Sequence, residues 1–232
     1  RSREAVNDGL ADYIPIYFSA IPALFRDEPL WALDVCLIQV TPPDKHGFCS
    51  LGISVGTVKC AIESGKTIVA QVNPTMPRTL GDSFVHVCRI DRFVEYKEPL
   101  IEIVFRERSA VAERIAKYVS ALIEDGSTIQ VGIGRVANSV LRYLDDKKDL
   151  GIHTEILSDA HLHLIRKGAV TGLYKTVHQG KIVASFCMGS QELYDFVHNN
   201  PEVELYPIDY VNNRHLISRH DKMVAINSAL EI

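Results

Sequence analysis

The chain has 232 residues, 47% of them apolar and 23% charged. Those shares are ordinary for a globular protein and exclude collagen, coiled coil and extended disorder. Lys and Arg total 25 against 29 Asp and Glu, a net of −4, so no basic field over the whole chain recruits nucleic acid or an anionic membrane.

In chain order, the first hundred residues read as short strands between turns. Residues 33–40 (LDVCLIQV) form the first predicted strand, and a Pro- and Gly-containing turn follows at 41–47. Residues 66–72 (KTIVAQV) and 83–87 (SFVHV) are further strands. Between them, two prolines and a glycine make 73–82 a defined loop. The texture changes near residue 100. Residues 109–124 carry Val111, Ile115, Val119, Leu122 and Ile123 at the spacing of a one-sided helix, which Asp125-Gly126 stops. A strand at 127–133, a helix at 136–144, a charged connection at 145–149 and a helix from Ser158 or Asp159 to Gly168 come next. The last predicted pair is a strand at 181–188 and a helix capped by Ser190, with Leu193, Phe196 and Val197 inward and Pro201 ending it. Strand and helix alternate here, which predicts an α/β second half with a largely parallel sheet. The boundary is expected near 104–109.

No apolar stretch approaches the ~20 residues that span a bilayer, and the first ten residues lack a signal-peptide core. The five cysteines (Cys36, Cys49, Cys60, Cys88, Cys187) are widely spaced and include no C-x-x-C. They read as buried thiols in a reducing cytosol.

Chemistry concentrates in two stretches. In Thr128 to Leu144, a strand runs into Gly132-x-Gly134 and then a helix. Such a turn lets a ligand approach the main chain, and the amides behind it can hold an anion or a developing oxyanion. With Ala137 and Glu155 it also meets the loose dinucleotide fingerprint, although 151–154 makes a poor buried strand for that purpose. The second stretch, Gly151-Ile152-His153-Thr154-Glu155, sets one carboxylate among apolar and hydroxyl residues just before a helix start. By itself Glu155 fits a cap or surface acid better than a catalytic group, and a catalytic role needs the neighbouring pieces. His153 fits packing better than substrate orientation. Asp159-x-His161-x-His163 is a weak metal candidate, because i and i+2 positions diverge on a helix. No H-E-x-x-H occurs, and Gly189-Ser190-Gln191 lacks the nucleophile-elbow pattern.

Six ordered segments together carry a resemblance. They are Gln71-Val72-Asn73-x-x-Met76-Pro77-Arg78-Thr79-x-Gly81-Asp82-Ser83-Phe84, then 125–134 (DGSTIQVGIG), then Gly151-Ile152-His153-Thr154-Glu155 with Ser158-Asp159. Met188-Gly189-Ser190 with Leu193-Tyr194-Asp195-Phe196, Asn199-Asn200-Pro201 and Ile226-Asn227-Ser228-Ala229 complete the set. In these the chain resembles the acetyl-CoA hydrolase/transferase family of CoA-transferases, near its 4-hydroxybutyrate branch. The resemblance implies two related α/β domains, both incomplete in this chain, with the active site between them. Residues 1–105 would be the C-terminal part of the first domain. Residues 106–232 would be the N-terminal part of the second, carrying the catalytic glutamate. Glu155 is then the nucleophile, and Gln130, Val131, Gly132 and Gly134 line the acyl and thioester pocket. The loop of Met76 and Pro77 closes over it, and Asn212 stands beside the glutamate.

The same resemblance implies CoA as substrate, with no permanently bound cofactor and no metal. It implies acyl-CoA and small carboxylic acids (acetate, butyrate or 4-hydroxybutyrate) as partners, with no nucleic acid or membrane. It also implies a cytoplasmic homodimer or higher homo-oligomer. Acetyl-CoA hydrolysis by the same family, or an inactive acyl-CoA-binding remnant, are the alternatives. Family members carry segments before and after this stretch, so the chain is expected to be an internal portion, with 224–230 a strand lacking its usual neighbours. Ala160 departs from the family's usual glycine, and the 135–138 stretch departs from its pattern after the loop.

Overall fold

The computed structural model describes residues 2–27, 32–103 and 109–229. The expected boundary at 104–109 falls almost wholly outside them. Two short helices, α1 (Ser2–Asn7) and α2 (Ile21–Asp27), precede β1 (Val35–Val40) and β2 (Phe48–Ser50). Then come α3 (Val58–Ser64), β3 (Thr67–Val72), β4 (Leu80–Gly81), β5 (Phe84–His86) and β6 (Arg92–Glu95). The second half runs α4 (Ala110–Ser120), β7 (Thr128–Val131), α5 (Arg135–Leu141), β8 (Gly151–Ile152), β9 (Ile156–Leu157) and α6 (Asp159–Arg166). It continues with β10 (Ile182–Ala184), β11 (Phe186–Cys187), α7 (Gln191–Val197), β12 (Val203–Leu205), α8 (Ile208–Val211), α9 (Arg214–Ile217) and β13 (Met223–Ile226).

The architecture is α/β. In the first half β3 lies between β1 and β6, all parallel, with Val35 opposite Thr67 and Val69 opposite Arg92. Cys36, Ile38 and Val40 alternate inward on β1, which is the period of a strand buried on one face. In the second half β7 lies between β13 and β8, and β9 pairs with β11, again in parallel. The halves are joined through backbone. β4 adds to the β10–β12 sheet as a parallel neighbour of β12, and the Asp82 amide donates to the Leu205 carbonyl at 2.9 Å. Among the described residues, no helix is long and apolar enough to cross a membrane.

Several expectations need correction. The first hundred residues are not strands alone. In α3, Val58, Cys60 and Ile62 alternate with Lys59, Ala61 and Glu63, a period that mimics a strand, yet the segment folds as a helix and buries Cys60 and Ile62. The end of the 73–82 loop is β4, because β12 offers it an edge. The helix predicted over 109–124 ends at Ser120 and buries a different face. Its small residues Ala112, Ala116 and Ser120 are covered, while Val111 and Leu122 stay 66% and 79% exposed. Small side chains allow α4 to approach α5 closely, so backbone proximity outweighs side-chain hydropathy there.

The strand at 181–188 breaks at Ser185, where the chain leaves β12 for β9. Cys88 is exposed, unlike the other four thiols. In α7 the buried face includes Tyr194, whose hydroxyl donates to the Ile101 carbonyl at 2.8 Å. The final strand stops at Ile226 and forms the outer member of its sheet among the described residues; residue 230 lies outside them.

Candidate active site

Glu155 sits where two sheet pairings change over. His153 bridges Val183 in parallel, and the Thr154 amide donates to the Val183 carbonyl at 3.0 Å. One residue later the Glu155 carbonyl takes two amides, from Ser185 at 2.9 Å and Phe186 at 3.1 Å. The Ser185 carbonyl in turn accepts from Val55 at 3.2 Å and Gly56 at 3.1 Å, both in the first half. Three segments therefore converge on the glutamate backbone. Ser54 bridges Phe186 in the same place. Ordinary ladder pairing cannot continue through such a changeover, and the Glu155 side chain is left half-buried between fully buried Thr154 and buried Ile156.

The side chains around it are tied just as closely. Asn212, the residue after α8, donates from Nδ2 to Glu155 Oε2 at 2.7 Å. The Thr154 hydroxyl donates to the Val131 carbonyl and accepts from the Val131 amide, both at 3.1 Å. That single hydroxyl couples the end of β7 to the residue before Glu155. Beyond β7, Gly132 donates its amide to the Ile226 carbonyl at 2.8 Å. Asn227 donates to Gln130 Oε1 at 2.8 Å, and its Oδ1 occupies the space that a Cβ on Gly132 would need. Gly134 begins α5 at φ 151° and ψ 164°, a region open essentially to glycine alone.

The structure thus gathers Glu155 with Asn212, and joins Gln130, Val131 and Gly132 to them through Thr154. Gly134 lies two residues further along the same loop. Met76 and Pro77 are placed differently. Both are buried, and Met76 fills the space that a Cβ on Gly52 would take. They support the loop that bridges Phe186 and are not hydrogen-bonded to the glutamate among the described residues. Asn73 holds that turn in shape, its amide donating to Glu98 O at 2.8 Å and its Oδ1 accepting from Thr75 and Glu98.

Behind the glutamate lies a buried polar layer. His153 Nε2 is 2.8 Å from the Val211 carbonyl, and its ring lies 5.1 Å from that of His220. Burial holds both histidines well below their ordinary value, to about 4. Lys175 donates to the carbonyls of Ile152 at 2.9 Å and Lys181 at 2.6 Å, and burial pushes its ammonium down to about 7. The weak metal candidate comes apart here. Asp159 accepts from Ser190, His161 pairs with Ser158, and exposed His163 meets Asp145. His161 stays neutral at ordinary pH because burial lowers it to about 4, and its Nδ1 caps α6 by accepting the Ser158 amide.

Sequence reasoning passed over Thr154 and Ser185 as parts of this site. For Ser185 the signal was a hydroxyl residue within an otherwise apolar strand; Thr154 lay beside Glu155 in the 151–155 stretch with no mark of its bond to Val131.

The fold and site define an α/β protein with a carboxylate at the crossing of two parallel sheets, beside a glycine loop that opens a helix. The chain belongs to the acetyl-CoA hydrolase/transferase family. The sequence profile of the family's N-terminal domain matches residues 1–105 and that of its C-terminal domain residues 189–232, together more than half of the chain. It is 49% identical over 231 residues to the 4-hydroxybutyrate coenzyme A transferase of Clostridium kluyveri, covering 100% of this chain and 54% of that protein. It is 45% identical to the succinyl-CoA:cyclohexane-1-carboxylate CoA transferase of Geobacter metallireducens, covering 100% and 52%. Among solved structures, the 4-hydroxybutyrate CoA-transferase of Porphyromonas gingivalis superposes with a TM-score of 0.89 at 41% identity, covering 99% of this chain and 59% of that one. RipA from Yersinia pestis superposes at 0.92 and 35%, covering 99% and 54%. The chain spans about half the length of the curated relatives it matches.

Proposed function

We propose that this chain carries the nucleophile of a CoA-transferase that moves CoA between small carboxylic acids through a glutamyl-CoA thioester on Glu155. The observation that carries the reading is the Glu155 carboxylate held by Asn212 at 2.7 Å beside the 132–134 loop. The names of the relatives support acids of the acetate, butyrate and 4-hydroxybutyrate type.

The chemistry follows from the carboxylate. A Glu155 oxygen attacks the acyl-CoA carbonyl carbon, the C–S bond breaks, and CoA thiolate leaves a mixed anhydride. The thiolate attacks the Glu155 carbonyl carbon and expels the donor acid, leaving a glutamyl thioester. The acceptor carboxylate attacks that carbon and releases thiolate again. The thiolate then takes the acyl group and restores the Glu155 carboxylate. No base is needed, since each attacking group is an anion. Each tetrahedral oxyanion needs donors. The Gly132 amide is committed to Ile226, so the Ile133 and Gly134 amides are the loop's candidates. Water must be excluded, or the thioester is hydrolysed. In this reading CoA enters as a substrate and not as a resident cofactor, and the protein works as a cytoplasmic homo-oligomer.

The test is mass spectrometry of the intact protein, and then of its peptides, after mixing with acetyl-CoA and quenching in acid. The expected result is a CoA or acyl adduct on the peptide containing Glu155. Consumption of acetyl-CoA without an adduct would indicate direct hydrolysis. Neither adduct nor consumption, with butyryl-CoA also untouched, would leave a binding protein.

A further inference from the structure

Resting on that reading, we propose that His153 is a positioning residue for the nucleophile: by capping the Val211 carbonyl it fixes the adjacent Asn212, whose amide in turn orients the Glu155 carboxylate. The geometry is a closed loop of short links. His153 and Glu155 are separated by one residue on the same segment, and Val211 and Asn212 are neighbours on the facing one. Two bonds close the loop, His153 Nε2 to the Val211 carbonyl at 2.8 Å and Asn212 Nδ2 to Glu155 Oε2 at 2.7 Å.

Each link has a stated chemistry. A carbonyl can only accept, so the Nε2 of His153 carries its proton. Nδ1 is then an unprotonated acceptor, and it has no hydrogen-bond partner among the described residues. His153 is fully buried and burial keeps it neutral, so the tautomer does not change across ordinary assay conditions. The carbonyl it caps closes α8, a helix of four residues that has little hold of its own over its last turn. Asn212 follows directly on that carbonyl, with its own amide donating to the Ile208 carbonyl at 2.9 Å, so the two bonds together set where its side chain starts. On the other side, Lys175 pins the Ile152 carbonyl directly before His153. A carboxylate nucleophile able to rotate freely would sample many non-attacking poses, and misplacement by about 1 Å costs on the order of 100-fold in rate.

The experiment compares His153→Phe, His153→Gln and His153→Asn in the intact protein, each alone and combined with Asn212→Ala, with Glu155→Ala alongside. A glutamine amide reaches the Nε2 position and can donate to Val211, whereas an asparagine amide reaches only the Nδ1 position. The expected result is a kcat about 10-fold lower for Phe and Asn, a loss no larger than that of Asn212→Ala itself. Gln should stay close to the parent, and the KM for acyl-CoA should be unmoved in all three. Against Asn212→Ala, the same His153 changes should cost almost nothing further, because the positioned group is already gone. Equal losses for Gln and Asn, or full additivity with Asn212→Ala, would overturn the assignment. If His153→Phe yields no folded protein, the Gln and Asn pair decides alone. Transfer retained by Glu155→Ala would overturn the underlying reading, and with it this one. Loss in Glu155→Ala together with parental rates in all three His153 variants would overturn the positioning role alone.

Discussion

The two strand ends that meet at the site are built in opposite ways. At the Glu155 end, position is set by bonds: two amides on its carbonyl, Asn212 on its carboxylate, and Thr154 and His153 buried on either side of the backbone. At the 132–134 end, one backbone bond, from the Gly132 amide to the Ile226 carbonyl, anchors the start, and the rest is shaped by missing atoms: no Cβ on Gly132 where Asn227 lies, none on Gly134 at φ 151°, and an exposed Ile133 between them. The first end is rigid and asks for one particular side chain. The second is open and asks for space. The proposed transfer reaction would use both, because a carboxylate nucleophile must be aimed while the acyl group and the thiol need space beside it.

The comparison breaks most severely at the carboxylate. Glu155→Ala should remove transfer altogether, checked by CoA exchange between labelled acetate and butyryl-CoA. Glu155→Asp should lose most of it, since withdrawal by one methylene carries the oxygen away from Asn212. A full transfer rate in Glu155→Ala would end the nucleophile assignment. Next is Asn212→Ala, with a fall in kcat of about 10- to 100-fold, the value of one hydrogen bond to a charged group. Asn212→Asp should be at least as poor, because it sets two carboxylates against each other.

Thr154 is the connector between the two ends, so Thr154→Val tests whether they act as one unit. The substitution keeps the shape and removes the hydroxyl that serves both the amide and the carbonyl of Val131. Leaving those buried groups without it should cost about 2 kcal/mol of stability, read as a lower denaturation midpoint at unchanged slope. Thr154→Ser should recover most of the loss. An unchanged midpoint in Thr154→Val would mean that the two ends are held independently.

What the sequence made legible follows the same division. Strands with clear alternation, such as β1 and β3, and helices with caps, such as α6 after Ser158, can be read from residue type and spacing because the forces that make them are local. So can the glycine loop, since Gly132-x-Gly134 between a strand and a helix is a local pattern. The changeover at Ser185 was hidden, because its cause is a choice between β12 and β9 made far away in the chain. The buried face of α4 was hidden too. Hydropathy points to Val111, Ile115 and Leu122, but close approach of α5 selects Ala112 and Ala116. Asn212 had no local mark at all; its position beside Glu155 depends on a contact 57 residues away in sequence.

The gentlest test concerns the open end. Gly132 has no unusual φ, so alanine fits its backbone and only the contact with Asn227 opposes it. Asn227 can swing aside, but its amide also holds Gln130 at 2.8 Å, so relief of one contact loosens the other. Gly132→Ala should therefore lower kcat/KM by about tenfold, equivalent to ~1.4 kcal/mol, while melting close to the parent. Shortening the opposing side chain should separate space from bonding. With Asn227→Ser added, the Cβ has room, and activity should rise above that of Gly132→Ala while the Gln130 contact stays lost. If the double variant is no better than Gly132→Ala, the hold on Gln130 governs the loop and the open end is bonded into place like the other. If Gly132→Ala alone has parental activity, the loop owes its shape to Gly134, and the substitution to make is Gly134→Ala, where φ leaves no relief by a side-chain shift.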